Sequence, residues 1–290
     1  MNIYFINVCI EWVFRLYQDY LEGIKYFITK NYSFDVYINY LPNIEHSIND
    51  FEILFNKIKN HQQPYKIILC GDISLINKIL NKFNNDSFYF LNIEQMSIQS
   101  YYEYFRKISE NINIIDYSEE NIPFYKNLYK NVFLLPPYFK YQDKIEKCID
   151  ILSLTNNDYR IDILNQLNID KKYKQLFFKD VYGEERDQLY KKTKIYINIH
   201  CSEKHKTMEM IRIVNLLKNN VIILTQNSIC KDLLFINKYL LIFEKIEDIK
   251  EIIEDILDNY EKYYHHIFDK DFNENYNKFV KENIDLLLNH

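Results

Sequence analysis

The sequence predicts an α/β protein built as two doubly wound, Rossmann-like domains that face each other across a cleft. Three observations predict it. Short apolar runs rich in β-branched and aromatic residues alternate with longer amphipathic ones along most of the 290 residues. Such a rhythm suits parallel strands covered on both faces by helices. The rhythm breaks at "LLPPYFKYQD", where Pro136 and Pro137 cannot continue a central strand and mark a hinge or crossover. It then resumes over a second stretch of similar size. The expected division is residues 1–138, 139–265 and a helical segment 266–290 that can return toward the first domain. One continuous sheet is the competing arrangement.

In the first half the strand candidates are "NIYFINV", "FDVYINY", "YKIILCG", "SFYFLNI", "NINIIDY" and "NVFLLP". Segments of helical length separate them, such as "NIEHSINDFEILFNKIKN" and "ISLINKILNKFN". In the second half "CIDILSL", "YKQLFFKD", "KIYINIH", "NVIILTQ" and "YLLIFEK" read as strands, with helices near 158–168 and 184–192 and a third over "MEMIRIVNLLK". "IEDIKEIIEDILDNYEKYYHHIF" repeats apolar residues at three- and four-residue spacing, as a packed surface helix does.

Apolar residues make up 48% of the chain and charged residues 27%, which places it among folded globular proteins. A net charge of −5 with no long basic run argues against non-specific nucleic-acid binding. Cys9, Cys70, Cys148, Cys201 and Cys230 are scattered with no CxxC pair. Reduced, mostly buried thiols in a cytoplasmic setting are expected. The apolar start is interrupted by Glu11 and Arg15 and reads as strand then helix. No run approaches the roughly 18 apolar residues of a transmembrane span. With three glycines in all, Gly23, Gly71 and Gly183, neither a GxGxxG nor a GxxxxGK[ST] phosphate loop exists.

The stretch "YINIHCSEKHKTMEMIRIVNLLKNNVIILTQ" carries the most chemistry. Met210, Ile213, Val214 and Leu217 form the face that packs on the sheet, and Glu209, Arg212 and Leu216 run beside it. With Thr207 as N-cap, Glu209 falls in the first turn, where the helix macrodipole favours a carboxylate and Arg212 can pair with it at i+3. That is the structural account of the pair. The functional one is positional, because the helix follows the carboxyl end of a central strand, where α/β sheets form binding crevices. There Glu209 suits ribose hydroxyls better than phosphate, and Arg212 can fix Glu209 or neutralise phosphate. His200 ends "KIYINIH" with Asn198 two residues before it, so both point toward the same crevice. His205, Cys201 and Glu203 lie near but complete no zinc set, and no metal site is expected.

Glu94 follows a strand of the first half, and Asp116, Ser118 and Asn121 follow the next. Either acid can serve as a general base; capping and turn-making explain the same residues. Arg160 is one of five arginines in a lysine-rich chain, a choice that suits bidentate geometry. Gly183 permits a strand-to-helix turn.

The second half resembles the carboxyl-terminal domain of GT-B fold glycosyltransferases, with the CgeB-like group of short bacterial and viral-type proteins nearest. The pieces are "CIDILSL…YRIDIL", "VYGEERDQLYKKTKIYINIH" and "MEMIRIVNLLKNNVIILTQ", joined in the first half by "YFLNIEQM", "IIDYSEENIPFY" and "VFLLPPYF". The resemblance implies a sugar nucleotide held mainly by the second domain. Glu209 would lie near the ribose, Arg212 at the arginine of the family's E..R pattern, Arg160 where it can meet the diphosphate, Asn198 and His200 on the approach to the donor, and Glu94 toward the acceptor or the transferred sugar. The chain departs from the pattern in having no glycine after "DILSL", Asn219 or Asn220 in place of the usual turn glycine, and no Glu-x7-Glu pair.

The resemblance and the residue pattern together imply a metal-independent, hexosyltransferase-like enzyme. It would take a nucleoside-diphosphate-sugar donor and an acceptor hydroxyl on a glycan, protein or lipid; an inverting route would use Glu94 or Asp116 as base, and a retaining route needs no such base. A catalytically inactive scaffold of the same fold and a nucleotide-sugar epimerase are the alternatives.

Overall fold

The computed structural model describes the chain except residues 9–10, 42–46, 84–87, 95, 97–101, 104, 109–111, 126, 141–144, 156, 201, 203–207, 229–233 and 270, and describes 11–17 by backbone alone. The chain divides into two compact units, Met1–Phe139 with Val280–His290, and Lys140–Phe279.

The first unit contains β1 (Asn2–Val8), α1 (Glu11–Asn31), β2 (Asp35–Tyr40), α2 (Ser47–Asn60), β3 (Tyr65–Gly71), α3 (Ile73–Lys82), β4 (Phe88–Asn92), β5 (Asn113–Asp116), the single turn α4 (Ile122–Tyr125) and β6 (Val132–Leu134). Its strands are parallel in the order β2-β1-β3-β4-β5-β6. Central strands are apolar throughout because both faces are covered: Phe5, Ile6, Ile67 and Leu69 are fully buried. At the edge, β2 buries Val36 and exposes Tyr37. Phe51, Phe55 and Phe88 pack ring against ring between α2 and the sheet. Asp72 caps α3 by accepting the Leu75 amide at 2.9 Å.

The second unit contains β7 (Ile149–Thr155), α5 (Asp158–Gln166), β8 (Gln175–Lys179), α6 (Gly183–Lys192), β9 (Thr193–Asn198), α7 (Met210–Lys218), β10 (Ile222–Gln226), β11 (Leu241–Phe243), α8 (Ile249–Asp258) and α9 (Tyr260–Phe268). Its sheet is also parallel, in the order β11-β10-β9-β7-β8. Helix α10 (Phe272–Asn289) begins in this unit, and its last turns belong to the first. There Tyr32 donates to Asp285 at 2.6 Å, and the His290 ring lies 4.9 Å from that of Phe133.

Each apolar run expected to be a strand is one. The turn after α7 is closed by Asn220 at φ 54°, with Asn220 N–H bonded to Leu217 and Val221 N–H to Leu216. Asparagine tolerates this left-handed position, so it replaces the glycine of a Schellman stop. Gly183, at φ 57°, opens α6 as the turn requires. The long amphipathic run of 246–268 is not one helix. Asn259 leaves helical geometry, and its side-chain amide donates to the Asp255 carbonyl, competing with the ladder and separating α8 from α9. Of the cysteines described, Cys70 is buried and Cys148 exposed.

The Pro136–Pro137 segment is fastened to α1. Tyr20 donates to the Leu135 carbonyl at 2.8 Å, and a Cβ on Gly23 would stand 1.7 Å from the Tyr138 carbonyl oxygen. Helix propensity alone favours alanine over glycine by about 1 kcal/mol. Gly23→Ala is nevertheless expected to destabilise the protein by roughly 1–3 kcal/mol, because backbone must move to admit the methyl. Urea unfolding checks the sign.

Lys218, at the end of α7, is fully buried. Its Nζ donates to Asn277 at 3.1 Å and lies over the rings of Phe272 and Tyr276. Burial lowers its pKa from 10.5 to about 7. Between those values the unfolded chain holds a proton that the folded one has shed, so this group makes stability rise with pH across the window. Lys218→Met should stabilise by roughly 1–3 kcal/mol near pH 6 and progressively less toward pH 10. Thermal melts across that range test it.

Candidate functional site

In the second unit β7 has β8 on one side and β9 on the other. The chain leaves β7 through α5 toward β8 and recrosses through α6 to β9, so the strand order reverses between β7 and β9. Loops diverge at such a switch point and leave a crevice at the carboxyl ends of the strands. Arg160 stands near the start of α5, after β7. Asn198 ends β9, His200 follows it, and Glu209 and Arg212 stand at the entrance of α7. All five second-half residues expected from the sequence are therefore at this one edge.

Glu209 joins two arginines. Arg160 Nη2 donates to Glu209 Oε1 at 2.6 Å, and Arg212 Nη1 pairs with Oε2. Arg212 also donates to Asn198 Oδ1 at 3.1 Å, and Asn198 Nδ2 donates to Thr225 Oγ1 at 3.1 Å. The Arg160 side chain is only 5% exposed, whereas those of Glu209 and Arg212 are 23% and 24% exposed. Arg160 Nε is buried without a partner among the described residues. Burial alone would raise the Glu209 pKa; the charges of Arg212 and Arg160, the Arg160 hydrogen bond and nearby His200 outweigh it and hold the carboxyl below its usual 4.5.

One local expectation is corrected. Glu209 is the N-cap residue of α7, not a first-turn residue, and its carboxylate makes no capping bond. Both oxygens are turned to the guanidiniums instead. Thr207, the expected cap, lies outside the described residues, as do His205, Cys201 and Glu203. The i+3 pairing accounts for Arg212 but not for Arg160, which arrives from 49 residues away.

His200 is held by the end of β10: its amide donates to Gln226 Oε1 at 3.1 Å and its Nε2 bonds the Asn227 carbonyl at 2.9 Å. A carbonyl only accepts, so Nε2 carries the proton. Tyr182, the residue before Gly183, is not among the residues the sequence singles out. It is half exposed at the start of α6, bonds Asp180 at 3.2 Å and feels the charge of Arg212. Its signal is a tyrosine next to a glycine that must turn left-handed. Tyr190, buried further along α6, has its pKa raised by burial and by neighbouring Tyr196, against the smaller opposing effect of the Arg212 and Arg186 charges.

In the first unit β4 and β5 are neighbours, with Asn92 opposite Asp116. Asp116 is fully buried. It accepts from Tyr125 Oη at 2.6 Å, Asn92 Nδ2 at 2.7 Å, Ser118 N at 2.8 Å and Asn121 Nδ2 at 3.1 Å. Burial raises its pKa to about 7 in spite of those donors. Its carboxylate meets protein, not solvent. Glu94 is half-buried after β4; Gln95 lies outside the described residues. Among the described residues no group of three or more His, Cys, Asp and Glu side chains is placed to hold a metal ion, and no helix is long and apolar enough to cross a membrane.

No family model matches the chain. It is 29% identical over 215 residues to the uncharacterised protein R358 of Acanthamoeba polyphaga mimivirus, covering 69% of this chain and 72% of that protein. Protein L140 of the same virus is 26% identical over 254 residues, 81% of each chain. Among solved structures, T4 phage BGT in complex with UDP and Mn2+ superposes with a TM-score of 0.55 at 11% identity, over 98% of this chain and 100% of that one. The fold is GT-B. The DNA modifying enzyme beta-glucosyltransferase, solved in the presence and absence of uridine diphosphoglucose, agrees with a TM-score of 0.54 at 12% identity and the same coverage. The two parallel sheets flanked by helices are the two sheets of that GT-B fold.

Replacing Glu209 by Gln would leave the buried Arg160 without its counter-charge. Glu209→Gln should destabilise the protein by roughly 2–4 kcal/mol near pH 7. Because the folded pKa is lowered, Glu209 stabilises fully above its ordinary value of 4.5, and that contribution is lost as pH falls through the folded value. The gap between wild type and variant in urea titrations should therefore close on acidification.

Proposed function

We propose that the chain is a glycosyltransferase that moves a sugar from a nucleoside-diphosphate-sugar donor to an acceptor hydroxyl, with the nucleotide bound by the second unit. The Arg160–Glu209–Arg212 cluster at the strand-order reversal carries this reading. A carboxylate offers about four lone-pair sites. The two arginines engage one on each oxygen, which leaves capacity for the vicinal hydroxyls of a ribose. Two guanidiniums beside one carboxylate suit a diphosphate, and the Arg160 Nε–H, which has no partner among the described residues, lies within the same group. Tyr182 offers a half-exposed ring at the start of α6, after β8, as a wall for the nucleobase.

As the anomeric bond breaks, negative charge gathers on the leaving diphosphate. Arg160 and Arg212 would stabilise that charge in place of a divalent ion. Glu94, half-buried after β4, is the general base of an inverting route. That one of the superposing structures holds UDP supports the donor class. Kinship with the CgeB-like group belongs to the same proposal.

Calorimetric titration with UDP, GDP and ADP tests the site, and indifference to all three overturns it. Glu209→Ala should weaken the best nucleoside diphosphate about tenfold or more while inorganic pyrophosphate changes little. Equal loss for both ligands would remove ribose as its partner. Tyr182→Ala should likewise spare pyrophosphate and weaken the nucleotide. Turnover of a sugar donor that persists in EDTA is expected of a metal-independent enzyme.

A further inference from the structure

We infer that Asp116 is a positioning residue whose buried carboxylate, through the amides of Asn92 and Asn121, fixes the backbone on which Glu94 is carried. The inference rests on the reading of Glu94 as the base and deepens it.

The hydrogen bonds form a closed set. Asn92 Nδ2 reaches Asp116 Oδ2 at 2.7 Å and the Glu94 carbonyl at 2.9 Å, while Asn92 Oδ1 accepts the Glu94 amide at 2.9 Å. Asn121 repeats the pattern from the turn after β5. Its Nδ2 reaches Asp116 at 3.1 Å and the Glu94 carbonyl at 2.8 Å, and its Oδ1 accepts the Met96 amide at 3.0 Å. Both side chains thus touch Asp116 and the segment carrying Glu94 at once. All three polar residues are buried.

The groups around Asp116 all hand hydrogen bonds to its carboxyl oxygens, and each asparagine accordingly turns its NH2 toward them. That choice leaves each Oδ1 to receive a main-chain N–H, from Glu94 in one case and Met96 in the other. Asp116 therefore selects the orientation of both amides, and the amides hold the loop. Tyr125 and the Ser118 amide supply two more donors and leave the carboxylate no reason to turn. Bare packing would explain a buried apolar residue at this position, but not an acid bonded to two amides that both bond the same neighbouring loop.

Asp116→Asn places a donor among donors and should free the loop. Asn121→Ala cuts one tether while leaving Asp116 three of its partners, and serves should the first variant fold poorly. Hydrogen exchange is read first: the Glu94 and Met96 amides should exchange at least about tenfold faster in either variant, with β1 and β3 unchanged. Wild-type protection of both amides overturns the inference whether or not the protein turns over a donor.

Release of nucleoside diphosphate from a sugar donor is the second readout. The kcat should fall by roughly ten- to a hundredfold with the donor KM unchanged. In a Glu94→Gln background, Asp116→Asn should bring no further loss. An undiminished additional loss would show Asp116 acting other than through Glu94 and overturn the inference. Unchanged turnover in Glu94→Gln alone would instead overturn Glu94 as base, leaving the exchange result to decide whether Asp116 holds the loop.

Discussion

The ion pair between Arg160 and Glu209 is the constraint on which the carboxyl edge of the second sheet depends. It ties the helix after β7 to the helix after β9, the two elements that part company where the strand order reverses. Arg160 is too deeply buried to stand unpaired, since a lone charge in that setting carries a desolvation penalty of several kcal/mol. Glu209 meets the requirement by giving up the capping role its place in the helix would suit. The start of α7 is thereby set by a residue far away in sequence rather than by its own cap.

Local charge and overall charge point in opposite directions here. The chain as a whole carries −5, yet this edge brings two guanidiniums to one carboxylate. A purely architectural ion network gains most by pairing every buried N–H group. This one does not, because Arg160 Nε is buried without a partner among the described residues. On the proposed reading, an anionic ligand takes up the remaining donor capacity of the two guanidiniums. Attraction of that kind acts over a Debye length or less, so it needs no basic surface elsewhere.

The fold was readable from the sequence because its driving pattern is local. Eleven apolar runs became eleven strands, and the left-handed turn expected at Asn219 or Asn220 falls at Asn220. The failures have equally definite causes. Periodicity over 246–268 reports the buried face but is blind to one side-chain amide that interrupts the ladder at Asn259. Position at strand ends was enough to collect Asn198, His200, Glu209 and Arg212 at one edge. It could not reveal that Arg160 crosses 49 residues to reach Glu209, since nothing in the spacing encodes that pairing. Asp116 looked like Glu94 in the sequence, an acid just past a strand. Only burial and the surrounding donors distinguish them.

The two buried acids show what decides the character of such a group. Burial pushes both upward. Asp116 has a hydroxyl, two amides and a backbone N–H around it, and its pKa still rises to about 7. Glu209 has two full positive charges beside it, and its pKa falls. Neutral donors shape a carboxylate and hold its neighbours in place, but they do not offset the loss of water. Guanidiniums do, and they leave an ionised acid at a half-open edge where hydroxyl groups can reach it. The same residue chemistry thus yields a buried, hydrogen-bonded acid with a raised pKa in one sheet and a partly exposed, ionised one in the other.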